Sequence, residues 1–121
     1  MREATIGVLN PNIIEKCSEL GIDIYSLHNS QRNVLAFSTC NHRNREFEIF
    51  FLRSHTYRIC TRYMGYVEVM KHTDFPFTIG NDPDGRRKRF GITVDNTIDL
   101  NHVINEMLIS GFSETPHVEL I

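Results

Sequence analysis

No stretch of the 121-residue chain is apolar for long enough to cross a bilayer, which takes about 20 residues. The densest apolar cluster, Ile49 to Leu52, is closed off by Glu48 and Arg53. The opening segment, MREATIGVLNPN, lacks the longer apolar run and small-residue cleavage site of an export signal. The three cysteines, Cys17, Cys40 and Cys60, cannot all pair within one chain, and they lack the even, close spacing of a secreted disulfide framework. A membrane span and a disulfide scaffold are therefore excluded, and a cytoplasmic protein with reduced thiols is expected. Positive charge is also missing from the last quarter: no Lys or Arg follows Arg89, while Asp95, Asp99, Glu106, Glu114 and Glu119 do.

What is present is the composition of an ordinary folded domain, with 40% hydrophobic and 23% charged residues. A chain of this length supports one hydrophobic core, so residues 1–121 are expected to form a single domain, with 113–121 as a loosely ordered tail. The formal net charge of -2 argues against binding nucleic acid through bulk positive charge. Charge is segregated, however. Arg32 to Arg62 contains six arginines against Glu46 and Glu48, and Arg86, Arg87, Lys88 and Arg89 form a basic run.

Hydrophobic spacing predicts an α+β fold: a mainly antiparallel sheet of about five strands with amphipathic helices at the two ends, in the order α-β-β-β-β-(β)-β-α. Asn10-Pro11 has the form of an N-cap and first helical position, and Ile13, Ile14, Cys17 and Leu20 recur at helical spacing up to Gly21. Strands are expected at Ile22 to Leu27, Asn33 to Cys40, Arg45 to Ser54 and Tyr57 to Met64. If the last two pair about Ser54 to Thr56, Phe47, Ile49 and Phe51 share a face with Ile59, Thr61 and Tyr63. Glu48 then sits near Arg62, and Phe50 near Cys60. Gly65 either bends that strand or separates it from another at Tyr66 to Lys71, an edge through which a second copy of the chain could pair. His72 to Lys88 reads as a loop with a brief strand at Phe77 to Ile79, and Arg89 to Asp95 as the final strand. Thr97 or Asp99 is expected to cap a helix over Leu100 to Ser110, whose apolar stripe is Leu100, Val103, Ile104, Met107 and Leu108.

Motifs for chemistry are weak throughout. Cys40-Asn41-His42 brings two potential metal ligands together, but zinc sites use two such pairs, and no second pair exists. Cys40 with His42, or Cys60 with His55, has the composition of a nucleophile and base without a visible orienting group. Glu68 and Lys71 precede Pro83-Asp84, the reverse of the familiar nuclease order, and Asp82 to Gly85 reads first as a turn. No catalytic residue, metal or cofactor is therefore assigned.

Three functional expectations remain. The first is a non-enzymatic protein-interaction module, such as a small inhibitor or adaptor of the kind phages and mobile elements carry against host defences. Its docking residues would be Asp99, His102, Glu106 and Glu114, an acidic surface suited to a basic partner. The alternative is a nucleic-acid or nucleotide-phosphate binder using Arg58, Arg62, Arg86, Arg87, Lys88 and Arg89, since arginine forks suit phosphate. In that reading Tyr57 and Tyr63 are poorly placed, because they fall on the core side. A small hydrolase or nuclease is third.

Overall fold

A computed structural model describes residues 4–28, 33–53, 55–81 and 88–112. After a single 3-10 turn at Ile6–Val8 the chain runs through α1 (Pro11–Glu19), β1 (Asp23–His28), β2 (Asn33–Thr39), β3 (Asn44–Phe51) and β4 (Tyr57–Thr61). It continues through α2 (Met64–Lys71), β5 (Phe77–Asn81), β6 (Lys88–Val94) and α3 (Thr97–Glu106), which ends in a π-helical turn at Met107–Gly111. The strands form one six-stranded antiparallel sheet in the order β1-β2-β3-β4-β6-β5. The architecture is α+β, as expected, with the brief strand read at Phe77 to Ile79 present as β5 and one more helix than expected.

Helix α1 starts at the expected Asn10-Pro11 step and buries Ile13 and Cys17. Its end is a Schellman arrangement: Gly21 takes a φ of 72°, its N–H donates to the Ser18 carbonyl, and the Ile22 N–H donates to the Cys17 carbonyl at 2.8 Å. Glycine suits this position because a side chain disfavours left-handed backbone.

The β3–β4 hairpin keeps its expected faces but not its register. Glu48 lies opposite Cys60 and Phe50 opposite Arg58, two residues away from the anticipated pairing. The cause is the turn: the Leu52 N–H bonds to the Thr56 carbonyl and the Thr56 N–H to the Arg53 carbonyl, so the connection spans residues 52–56. A shift of two preserves the period of a strand, and Phe47, Ile49, Phe51, Tyr57 and Ile59 all stay in the core.

The segment read as a possible strand at Tyr66 to Lys71 is helix α2, a correction that also removes it as a pairing edge; the sheet edges are β1 and β5. The slot beside β4 is taken by β6, so the chain leaves the sheet at Arg62. Tyr66, Val67 and Met70 then recur on one buried helical face. The strand tendency of Tyr and Val gives way to that tertiary packing. At the start of α2 the backbone of Gly65 meets that of the π-helical turn, where a Cβ would run into the Gly111 carbonyl oxygen.

All sheet residues of the main core, among them Leu35, Phe37, Ile49, Ile59, Ile92 and Val94, lie on one face, under α1, α2 and α3. The other face holds Ala36, Glu48, Arg58, Cys60 and Gly91 by the same alternation, and no helix among the described residues packs on it. Between Phe37 and Ser38 the β2–β3 register slips, so that Ser38 faces Arg45 and Glu46 is the extra residue of a bulge. Its carboxylate accepts from the buried Tyr66 hydroxyl at 2.7 Å and from the Asn44 amide at 2.7 Å.

The Gly65–Gly111 contact leaves no room for a methyl group, so Gly65→Ala is expected to lower stability by about 2 kcal/mol, the usual size of an overpacking penalty. Urea unfolding checks this; an unchanged midpoint would mean that the two backbones can move apart freely.

Candidate functional site

Helix α3 is capped by Asn96, not by Thr97 or Asp99: the Asn96 Oδ1 accepts from the Asp99 N–H at 2.8 Å, and its amide donates to the Asp99 carboxylate at 2.9 Å. Asp99 is thus part of the cap as well as of the acidic surface. On the inner side, buried Asn101 donates to the Val8 carbonyl at 2.9 Å and the Thr97 carbonyl at 2.7 Å, and accepts from the Asn10 N–H at 2.7 Å. One amide therefore ties α3 to the start of α1.

The outer side of α3 is where the expected docking residue His102 lies. It is exposed, on a stripe with Ile98, Asn105 and Ile109. Ile98 is 81% exposed and Ile109 60%. Two open hollows flank this ridge and share His102 as a wall. One, of about 730 Å³, is lined toward α1 by Asn10, Asn12, His55 and Asn105. The other, of about 440 Å³, lies toward α2, with Glu68, Val69, His72 and Glu106. Glu68 also lies 3.7 Å from Lys71, and the His72 Nδ1 is 2.7 Å from the Glu68 carbonyl. The structure thus brings His102 and Glu106 to one surface with Asp99 at its start; Glu114 lies outside the described residues. Ile98 and Ile109 lie outside the buried stripe Leu100, Val103, Ile104, Met107 and Leu108 that the helical spacing marks. Their signal was there: apolar residues at positions 98 and 109, eleven apart, which is about three helical turns.

On the side of the sheet away from α1, α2 and α3, Glu48 is buried between two guanidinium groups, with Arg89 at 2.8 Å and Arg45 at 3.1 Å. It does not lie opposite Arg62 as anticipated, although Arg62 lines the same small hollow with Arg45, Glu48, Cys60 and Arg89. Arg58 donates through Nε to the Cys60 thiol at 3.2 Å. Of the basic run, Arg89 therefore joins Arg58 and Arg62 on one face. Lys88 is exposed and alternates to the other side, and Arg86 and Arg87 lie outside the described residues.

The nucleophile-and-base pairs are not assembled. His55 lines the hollow beside α3, on the core side of the sheet, whereas Cys60 is on the other face. Burial pushes the Cys60 thiol up, against a smaller opposing effect of the Arg58 hydrogen bond, so it stays protonated at neutral pH. Cys40 is exposed in a turn where Cys40, Asn41 and His42 all adopt left-handed backbone. The His42 ring stacks on Tyr25, centroids 4.0 Å apart, and its Nε2 lies 3.6 Å from Asp23. Glu68 and Lys71 sit on α2 rather than at a strand end, and Asp82 and Asp84 lie outside the described residues. Among the described residues no group of three or more His, Cys, Asp or Glu side chains could hold a metal ion, and no helix is long and apolar enough to cross a membrane.

No protein-family model matches the chain, and no curated protein or solved structure shows significant similarity to it.

The thiols give a direct check on this geometry. Cys40 should be modified rapidly by a thiol reagent in the native protein, and Cys17 and Cys60 only on unfolding. Burial also pushes the Cys17 thiol from 9.0 up to about 12. Above pH 9 the unfolded chain loses this proton while the folded one keeps it, so the folded state loses stability as pH rises toward 12. The slope is at most about 1.4 kcal/mol per pH unit for one group. Urea midpoints measured across this range should fall, and fall less steeply in a Cys17→Ala variant.

Proposed function

We propose that this protein is a non-enzymatic binding module that docks a partner protein through the outer ridge of α3, as a small inhibitor or adaptor does. The observation that carries this reading is the exposure of Ile98 and Ile109 at the two ends of a ridge flanked by open hollows. An isolated exposed isoleucine on a monomer is unremarkable, but two on one helical stripe form an apolar anchor pair. Glu68 and Glu106 beside the second hollow favour a partner with basic residues around an apolar contact, because opposed potentials orient such complexes. Three cysteines without a disulfide agree with a reducing, cytoplasmic setting.

The test has two stages. Wild-type protein is used as bait in its native source, the recovered partner is purified, and its affinity is then measured against two variants. Ile98→Asp is expected to weaken the complex about tenfold or more, as truncation of a central anchor does. Glu106→Lys should slow association and reverse the salt dependence. Both variants should retain the circular dichroism spectrum of the wild type. A partner bound equally well by both variants would remove the α3 ridge from consideration.

A further inference from the structure

We propose that strand β5 is an interaction surface, and that its partner is the β5 strand of a second copy of the chain, joined antiparallel across a two-fold axis. β5 is an edge of the sheet, hydrogen-bonded on one side to β6, and no described residue bonds to its other side. An edge strand in this state is a template for another strand, and proteins that stay monomeric guard such edges with charge, proline or a bulge. Phe77–Asn81 has none of these: it carries no charged residue, and its pairing with β6 runs without a register shift. The opposite edge, β1, carries Asp23 and His28, and the Asp23 carboxylate lies 3.6 Å from the His42 Nε2.

The side chains of β5 are open to solvent on both faces. Phe77 and Ile79 alternate to the side of the helices; Phe77 packs against the main core, whereas Ile79, two residues on, is 61% exposed. The apolar face of the sheet therefore runs on past the helices at this edge. On the other face Thr78 is exposed, and a Cβ at Gly80 would meet nothing within 4 Å, which leaves room for another backbone to come close. Paired antiparallel about Thr78, Phe77 of each copy stands opposite Ile79 of the other, giving two apolar cross-strand pairs on the helix side. The ends of the strand match as well. Exposed Asp74 precedes it and exposed Lys88 lies opposite Asn81 at its far end, so the antiparallel pair brings the acid of one copy toward the base of the other. A β5 strand laid on β1 would instead meet Asp23 and His28, and would propagate head to tail without closing. No residue of β5 lines the hollows beside α3, so this surface is distinct from the α3 ridge.

Sedimentation velocity of the full-length protein, alone and under reducing conditions, is run from about 5 µM to about 1 mM, because the pairing of one short strand is a small interface with an affinity in the micromolar range. A monomer–dimer equilibrium is expected. Ile79→Lys, which places a charge on the edge, should raise the dimer dissociation constant about tenfold or more. In a Cys40→Ser background, Thr78→Cys should form an intermolecular disulfide on mild oxidation, since the axis sets residue 78 opposite itself with its Cβ atoms near disulfide reach. Ser26→Cys, exposed on the β1 edge, should not. Each variant is compared with wild type for its thermal transition. The proposal is overturned by a monomer at every concentration, by a folded Ile79→Lys variant that dimerises as wild type does, or by Ser26→Cys cross-linking as fast as Thr78→Cys.

Discussion

Two glutamates stand two residues apart on β3, and in a regular strand both would point to the same side of the sheet. The bulge opposite Phe37 prevents this. It makes Glu46 the unmatched residue and turns its carboxylate toward α2, where Tyr66 and Asn44 donate to it. Glu48 keeps the regular alternation and meets Arg45 and Arg89 on the opposite face. The Thr61 hydroxyl donates to the Glu46 carbonyl at 2.9 Å and accepts from the Tyr63 N–H at 3.2 Å, at the point where β4 ends and the chain turns into α2. Tyr63 in turn donates to Asn44. One extra residue thus separates two negative charges across the sheet, fixes the entry to α2, and leaves the Tyr66 hydroxyl, pushed up by burial and by Glu46, as a permanent donor.

The placement of α2 then determines much of what the molecule displays. Because Gly65 backs onto Gly111, the π-helical turn is drawn against α2, with the Phe112 N–H reaching the Met107 carbonyl at 3.1 Å. The wider turn lets Met107, Leu108 and Gly111 all be buried while Ile109 and Ser110 stay outside. With α1, α2 and α3 on one side, the acidic ridge of α3 and the arginines of the sheet are separated by the full thickness of the core. The charge segregation along the chain becomes segregation in space.

Elements set by local periodicity were legible in the sequence. The caps and spacing of α1, the strands up to Phe51 and the buried stripe of α3 depend on period and on Asn-Pro or Gly signals, and these survive folding. The hairpin register depended on a turn whose length no residue announces, and a slip of two leaves the faces intact while changing every cross-strand partner. Helix α2 was hidden because Tyr66, Val67 and Val69 favour strands, and only the occupied slot beside β4 and the Gly65–Gly111 contact decide otherwise. The arginine cluster was half legible. Arg58 and Arg62 share a strand side, but their meeting with Arg45 and Arg89 requires the bulge and the β4–β6 pairing, both of which are long-range.

The energetics of Glu48 decide how that cluster is held together. Taking a carboxylate out of water costs several kcal/mol, which two partly exposed arginines offset without a large surplus. What the carboxylate adds is orientation: it accepts from one nitrogen of each guanidinium and fixes two long side chains that would otherwise sample many rotamers. The same holds for Tyr25, held by Ser38, Arg45 and the His42 ring, in a turn whose three left-handed residues each cost about 1 kcal/mol or more. The buried charge and the left-handed turn, placed side by side on this face, hold long side chains in fixed positions.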